Sequence, residues 1–288
     1  MTDESHGLPV PGWLVEHAAK FAASGRTPVT PKLAATVILL RPSQAGSREA
    51  TAGQREGEAG FEVYAVRRAA TMAFAAGMYA FPGGSVDPTD SETVIDWTGP
   101  GPAEWAERMT LPVGTAQAVV SAAVRELFEE SGVLLAGRGA DHVLGDLSAP
   151  DWETARTDLV DRRRSLTAWF AEVGLTLRAD LLLPWARWLT PEFEPRRYDT
   201  FFFLALLPES QQPRELGGEA DHTTWVAPGA ALGLPMLPPT LHTLRELSQY
   251  SHIEALLAAA AGRNVSAPYQ PVLVVHGDQG FMTVNPTG

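Results

Sequence analysis

The sequence predicts a layered α/β domain with helices on both sides of a β-sheet, and three observations carry that expectation. Strand-like and helix-like segments interleave along the chain, as they do when helices cover a sheet. Asp199 to Leu207 (DTFFFLALL) is apolar without alternation, the pattern of a strand covered on both faces and set in the middle of a sheet. Ala116 to Ser131 (AQAVVSAAVRELFEES) is a run of helix formers followed by Gly132, a residue suited to the left-handed backbone that ends helices.

The elements follow in order. Trp13 to Ala23 predicts a short helix, and Ala34 to Leu40 (AATVILL) a buried strand rich in β-branched residues. Residues 44–60 are polar and rich in Gly and Glu, a loop, before Phe61 to Arg67 (FEVYAVR) alternates as a second strand. The two strands are expected to form a hairpin with a long connection. Met78 to Phe81 leads into a turn at Gly83-Gly84, and residues 85–115 shift to Pro, Gly, Asp and Thr, an insertion with a short helix around Ala103 to Met109. Thr115 is the expected N-cap of the helix that follows. A further helix is expected from Trp152 to Val173, burying Leu166, Trp169, Phe170 and Val173 on one face and ending at Gly174. Leu181 to Leu189 and Thr223 to Val226 read as strands, Pro239 to Gly262 as one or two helices, and Val272 to Val284 as a closing hairpin around Gly277 to Gly280. The expected organisation is one domain over 1–288, with 1–30 as an N-terminal arm, 85–115 as the insertion and 235–288 as a helical and hairpin extension.

Composition narrows the function. The 288 residues are 45% hydrophobic, enough for a proper core and against intrinsic disorder. No run approaches the roughly 18 to 20 apolar residues of a bilayer span, and Met1 to Gly12 lacks a basic region followed by an apolar one, so a soluble, cytoplasmic protein with no membrane partner is expected. Zero cysteines exclude disulfides, thiolate nucleophiles and cysteine-ligated metal, and suit a reducing interior. A net charge of −12 argues against general nucleic-acid binding. An acidic protein still takes an anionic substrate where metal ions supply the positive charge, which directs attention to its carboxylates.

Glu126, Glu129 and Glu130 fall at i, i+3 and i+4 of the predicted helix, three carboxylates on one face within a turn. Like charges so close repel unless a cation sits among them, and hard oxygen ligands select Mg²⁺, Mn²⁺ or Ca²⁺. Arg125, four residues before Glu129, is spaced to orient that carboxylate. The plain alternative is a solvated helix face. Upstream, Phe81-Pro82-Gly83-Gly84 lets backbone approach a ligand or ion closely.

Together these residues resemble the box of the Nudix family, in which a glycine turn and a first glutamate precede Arg-Glu-(aliphatic)-x-Glu-Glu-x-Gly-(aliphatic). Arg125-Glu126-Leu127-Phe128-Glu129-Glu130-Ser131-Gly132-Val133 matches every fixed position of that second half. Asp90 stands where the first glutamate is expected, and Arg125 comes 27 residues later than the usual spacing. This departure, with FPGGSVDPTD and the later Pro195-Arg196-Arg197-Tyr198-Asp199-Thr200, resembles a long-insertion branch that includes coenzyme A diphosphatases.

The resemblance covers roughly Ala34 to Leu232. It implies a mixed β-sheet sandwiched between helices, hydrolysis of a diphosphate linkage in a nucleoside diphosphate derivative such as coenzyme A or its thioesters, and Mg²⁺ or Mn²⁺ held by Glu126, Glu129 and Glu130 with the backbone carbonyl beside Gly84. It assigns Arg125 the orienting role, makes Glu219 in Gly217-Gly218-Glu219 the candidate late general base beside the box glutamates, and leaves Asp87 and Asp90 as outer carboxylates. ADP-ribose, dinucleotides such as NADH and capped or polyphosphorylated nucleotides stay open as substrates, because the signature of many bacterial coenzyme A enzymes is absent around Arg68 to Phe74.

Arg67, Arg68 and Arg197 are the expected phosphate grips, with surface ion pairs as the alternative. Seven histidines lack zinc spacing, and eight tryptophans read as core. A homodimer is common in the family. The insertion, which must begin and end beside the box, is expected to shape substrate choice. The competing function is a sensor that shares the fold and binds a nucleotide or protein without cutting it.

Overall fold

Where the apolar residues alternate, they fall on two separate cores, and the sheet between them is the frame of the molecule. A computed structural model describes residues 7–43, 60–71, 75–214, 220–277 and 279–286. Its strands and helices in chain order are β1 (Leu8–Val10), α1 (Gly12–Ala23), β2 (Lys32–Pro42), β3 (Phe61–Arg68), β4 (Tyr79–Ala80), β5 (Gly83–Ser85), β6 (Asp96–Thr98), α2 (Pro102–Met109), α3 (Val113–Ser131), β7 (Ala136–Gly137), α4 (Pro150–Val160), α5 (Leu166–Val173), β8 (Thr176–Arg178), β9 (Leu183–Leu189), β10 (Tyr198–Leu206), β11 (Ala220–Val226), α6 (Pro228–Ala231), α7 (Pro238–Leu247), α8 (Ile253–Ala261), β12 (Tyr269–His276) and β13 (Gln279–Pro286).

The main sheet runs β1-β13-β12-β9-β10-β2-β3-β11, with β4 on β3 and β5 on β2. The apolar β10 lies inside it, parallel to β2 and antiparallel to β9, as its continuous hydrophobicity requires. Its side chains alternate between the two cores. Phe201, Phe203 and Ala205 join α3 and its neighbours on one face, while Phe202 and Leu204 pack with Trp185, Trp188 and residues of α7 and α8 on the other. This is the expected mixed sheet between helices.

Several boundaries differ from the sequence reading. The helix expected from Trp152 to Val173 is two helices, because Arg162 adopts φ +55° and Ser165 starts α5 by accepting from the Ala168 N–H at 3.2 Å. Val173 at its end is 37% exposed and leaves the buried face. The carboxylate helix α3 begins at Val113, with Pro112 before it and no side-chain cap, so Thr115 is an interior residue. Gly83 and Gly84 form a strand on β2 instead of a turn. Most of the 44–60 loop lies outside the described residues.

The insertion is built into the core. Its helix α2 lies against α3, its Trp105 and Met109 are fully buried, and Trp105 meets Phe203 edge-on at 5.7 Å. Its β6 joins β8 and β7 in a small second sheet whose strands, two or three residues each, are too short to register as a period in the sequence. Among the described residues no helix is long and apolar enough to cross a membrane.

Candidate active site

The site forms where β5 runs beneath the C-terminal half of α3. β5 pairs with β2, Gly84 opposite Ala35, which brings its backbone against the helix face that carries the glutamates. A Cβ on Gly84 would lie 2.5 Å from an oxygen of Glu126, so only glycine lets strand and carboxylate approach so closely. The neighbouring Gly83 N–H donates to Glu130 Oε2 at 3.2 Å.

Arg125 ties the two elements together. Its Nε donates to Asp90 Oδ1 at 2.8 Å, and its Nη2 to Asp90 Oδ2 at 3.1 Å and to the Ser85 carbonyl at 2.9 Å. Nη1 reaches Glu126 Oε1 at 2.7 Å and the Glu129 carboxylate at 3.2 and 3.3 Å. Asp90 is fully buried in a single helical turn, Pro88–Ser91, where Asp87 accepts from the Thr89 N–H and Asp90 accepts from the Asp87 N–H. The residue that departs from the family's glutamate therefore holds the arginine from the strand side, and the residues between the two, α2 among them, pack into the core beside α3.

Burial dominates the electrostatics. It pushes the Glu126 carboxyl up to about 7, against the pull of Arg125 and helped by Glu129. Glu129 and Asp90 are likewise raised by burial and partly restored by Arg125. For Arg125 burial acts downward, yet the hydrogen bond to Asp90 and the charges of Glu126, Asp90 and Glu129 raise it further. The side chains of Glu126 and Glu129 are only 13% and 14% exposed, which excludes the solvated-face reading. One guanidinium faces Asp90, Glu126 and Glu129, with Glu130 beside them, an acid excess that is costly to bury without more cations.

The donor set fits a hard divalent ion: three glutamates on one helix wall, beside a backbone pressed close through glycine. Among the described residues, however, no three acidic or imidazole groups converge as a ready ion cage. Arg125 Nη1 lies between Glu126 and Glu129 in this arrangement, and Glu130 turns to Gly83. Holding a metal requires small side-chain rotations of these glutamates.

Above the carboxylates opens a cleft of about 820 Å³, lined by Gly83, Gly84, Arg125, Glu126, Glu129 and Glu130 together with Arg68, Arg162, Arg163, Arg164, Tyr198 and others. Of the expected phosphate grips, Arg68 lines it. Arg67 instead pairs with Asp221 at 2.6 Å. Arg197 is buried, donating to the carbonyls of Thr190 and Val29, so it clasps the chain ahead of β2 and is not a cleft residue. Glu219 lies outside the described residues. From the insertion only Ser85, Asp87, Thr89 and Glu92, near its start, contribute to the lining.

Two groups of residues were missed in the sequence. Arg162 to Arg164 line the cleft because the helix breaks there, which the helical spacing concealed. Arg156, fully buried, donates to the Glu129 carbonyl at 3.0 Å, and the Arg214 N–H to the Ser131 carbonyl at 2.7 Å, so both secure the C-terminal turn of α3. Burial lowers the Arg156 guanidinium to about 10. No pattern in the sequence marks either residue.

Part-buried acids on a helix clamped to a glycine strand, below an arginine-lined cleft, form the candidate active site. Comparisons with known proteins give the class of protein. The family model described as the NUDT19 Nudix domain matches residues 103–236. A crystallised Nudix hydrolase from Alicyclobacillus acidocaldarius is 30% identical, covers 80% of this chain and 96% of its own, and superposes with a TM-score of 0.62. The chain belongs to the Nudix hydrolase family. Among curated relatives, putative nudix hydrolase 7 of Caenorhabditis elegans is 30% identical over 195 residues, 65% of this chain and 56% of the relative. Human acyl-coenzyme A diphosphatase NUDT19 is 26% identical over 266 residues, 76% of this chain and 69% of the relative. The chain thus spans a little over half of the first relative's length and about two thirds of the second's.

Proposed function

We propose that this enzyme hydrolyses the diphosphate linkage of coenzyme A or its acyl thioesters, using Mg²⁺ or Mn²⁺. The observation that carries the chemistry is the part-buried trio Glu126, Glu129 and Glu130 lining the cleft, with Glu126 against Gly84 and Glu130 on the Gly83 N–H. The substrate reading is supported by the likeness to human acyl-coenzyme A diphosphatase over 76% of the chain and by the family model. The protein is read as a single working domain, and its lack of cysteine suits the cytoplasm.

Glu126, Glu129 and Glu130, with the carbonyl beside Gly84, would hold the metal. A divalent ion held there would neutralise charge growing on the diphosphate and make water a better nucleophile. Arg125, anchored on Asp90 and Ser85, keeps Glu126 and Glu129 side by side under the cleft, from where they would turn onto the ion. Arg68, which lines the cleft, would grip a phosphate oxygen. Glu219 is the proposed acceptor of the water proton.

The test is hydrolysis of coenzyme A, an acyl-coenzyme A, ADP-ribose, NADH and diadenosine polyphosphates with Mg²⁺ or Mn²⁺, comparing wild type with the Glu129→Gln, Glu130→Gln double variant. The expected result is coenzyme A split into 4′-phosphopantetheine and adenosine 3′,5′-bisphosphate by wild type alone. Preference for another compound would overturn the substrate reading, and equal rates in the variant would overturn the site.

A further inference from the structure

The cleft has a second chemical character that cleavage of a diphosphate does not use. One wall is acidic, carrying Glu126, Glu129 and Glu130; another is the turn between α4 and α5, where three consecutive residues, Arg162, Arg163 and Arg164, all reach the lining with the hydroxyl-bearing Ser165 beside them. That turn is a made structure. Arg162 holds a left-handed backbone, φ +55°, which an L side chain rarely adopts. The Arg163 N–H donates to the Asp158 carbonyl, and its guanidinium pairs with Asp158 at the end of α4 and Asp161 of the turn. Thr167 at the start of α5 donates to the Thr89 carbonyl at 2.9 Å. Thr89 belongs to the same turn as Asp90, the anchor of Arg125, so the basic turn and the carboxylates are joined through one short stretch of backbone.

Within the turn the three arginines are not equivalent. Arg163 is engaged in fixing the loop. Arg164 is a quarter exposed and pairs with Glu172 on α5. Arg162 is 82% exposed and reaches Asp87 at 3.2 Å across the cleft margin. An ion pair so open to water is weak, and a dianionic phosphate competes for the arginine effectively. Arg125 is already committed to Asp90, Glu126 and Glu129, so it does not supply this contact.

We propose that the Arg162–Arg163–Arg164 turn is a second phosphate subsite, which reads a phosphomonoester of the substrate remote from the linkage being cleaved. It deepens the function proposed above and rests on it: the substrate class is a nucleoside diphosphate derivative that carries an additional phosphate. Arg162 leaves Asp87 to bind that group, Arg164 and the Ser165 hydroxyl add to it, and Arg163 keeps the turn in shape.

The experiment compares coenzyme A with 3′-dephospho-coenzyme A, which differ by one phosphate, in wild type and in an Arg162→Ala, Arg164→Gln variant whose fold is checked by thermal melting. Wild type is expected to favour coenzyme A in kcat/KM by about tenfold or more, and the variant to bring that ratio toward one. A wild-type ratio near one, or a ratio unchanged by the substitutions, overturns the subsite. Calorimetric binding of adenosine 3′,5′-bisphosphate against adenosine 5′-monophosphate, without metal, separates this idea from the catalytic one. Tighter binding of the bisphosphate that is lost in the variant supports the subsite even if neither coenzyme is cut. Equal binding of the two nucleotides by wild type overturns it.

Discussion

Asp90→Asn tests the link between the displaced first half of the box and its catalytic helix. One oxygen of Asp90 accepts from both the Asp87 N–H and Arg125 Nη2, and the other accepts from Arg125 Nε. An asparagine of the same shape must point its NH₂ at donors on one side, so either one bond to Arg125 or two bonds at the shared oxygen are lost, together with the charge. Hydrogen bonds to charged groups contribute about 1.5–3 kcal/mol each. Removing a fully buried carboxylate recovers part of that, because burial already raises its pKa. A net loss of about 2–4 kcal/mol is expected, which at an unfolding entropy of about 2.1 cal/mol/K per residue lowers Tm by roughly 3–7 °C. Freed from Asp90, Arg125 keeps only Glu126, Glu129 and the Ser85 carbonyl as partners and competes more strongly with a cation for the two glutamates. Loss of such an outer partner costs about 10–100-fold in metal affinity or activity. Mn²⁺ calorimetry, steady-state hydrolysis and a thermal melt read all three. A variant that melts with wild type and keeps its Mn²⁺ affinity and kcat/KM would refute the anchoring role of Asp90.

Three more outcomes are expected. Gly84→Ala places a methyl 2.5 Å from the Glu126 carboxylate; a misplacement of about 1 Å costs on the order of 100-fold in rate, so kcat should collapse while circular dichroism stays native, and an unaltered kcat would count against the site. Trp105→Ala removes a fully buried ring packed on Phe203 and should destabilise by about 3–5 kcal/mol in denaturant unfolding, whereas a purely surface insertion would lose almost nothing. Glu219→Gln should slow the chemical step by about 10²–10⁴ in single-turnover measurements with Mn²⁺ affinity retained; an unchanged rate would move the proton acceptor to a box glutamate.

The insertion also changes how its own role must be tested. Replacing residues 95–112 by a flexible loop would remove Trp105 and Met109 from the core together with α2. Substitutions among Asp87, Thr89 and Glu92, which line the cleft, address substrate choice without that loss.

Local chemistry made much of this protein legible before folding. The unbroken apolar run of β10 implied an interior strand, because burial of both faces removes the need for alternation. The spacing of Glu126, Glu129 and Glu130 put three acids on one face through the helical period alone, and Gly132 ended the helix there with φ +73°. The tertiary structure decided what depends on contacts distant in sequence. That Asp90 meets Arg125 across 35 residues, that Arg156 and Arg214 brace the end of α3, and that Arg197 is occupied with Thr190 and Val29 are facts of packing with no local signature. The same holds for the basic turn: Arg162 to Arg164 would continue a helix by propensity, and the fold breaks it where Ser165 restarts the chain and Thr167 docks on Thr89. Periodicity encodes which residues share a face; only the assembled sheet and helices determine which faces meet.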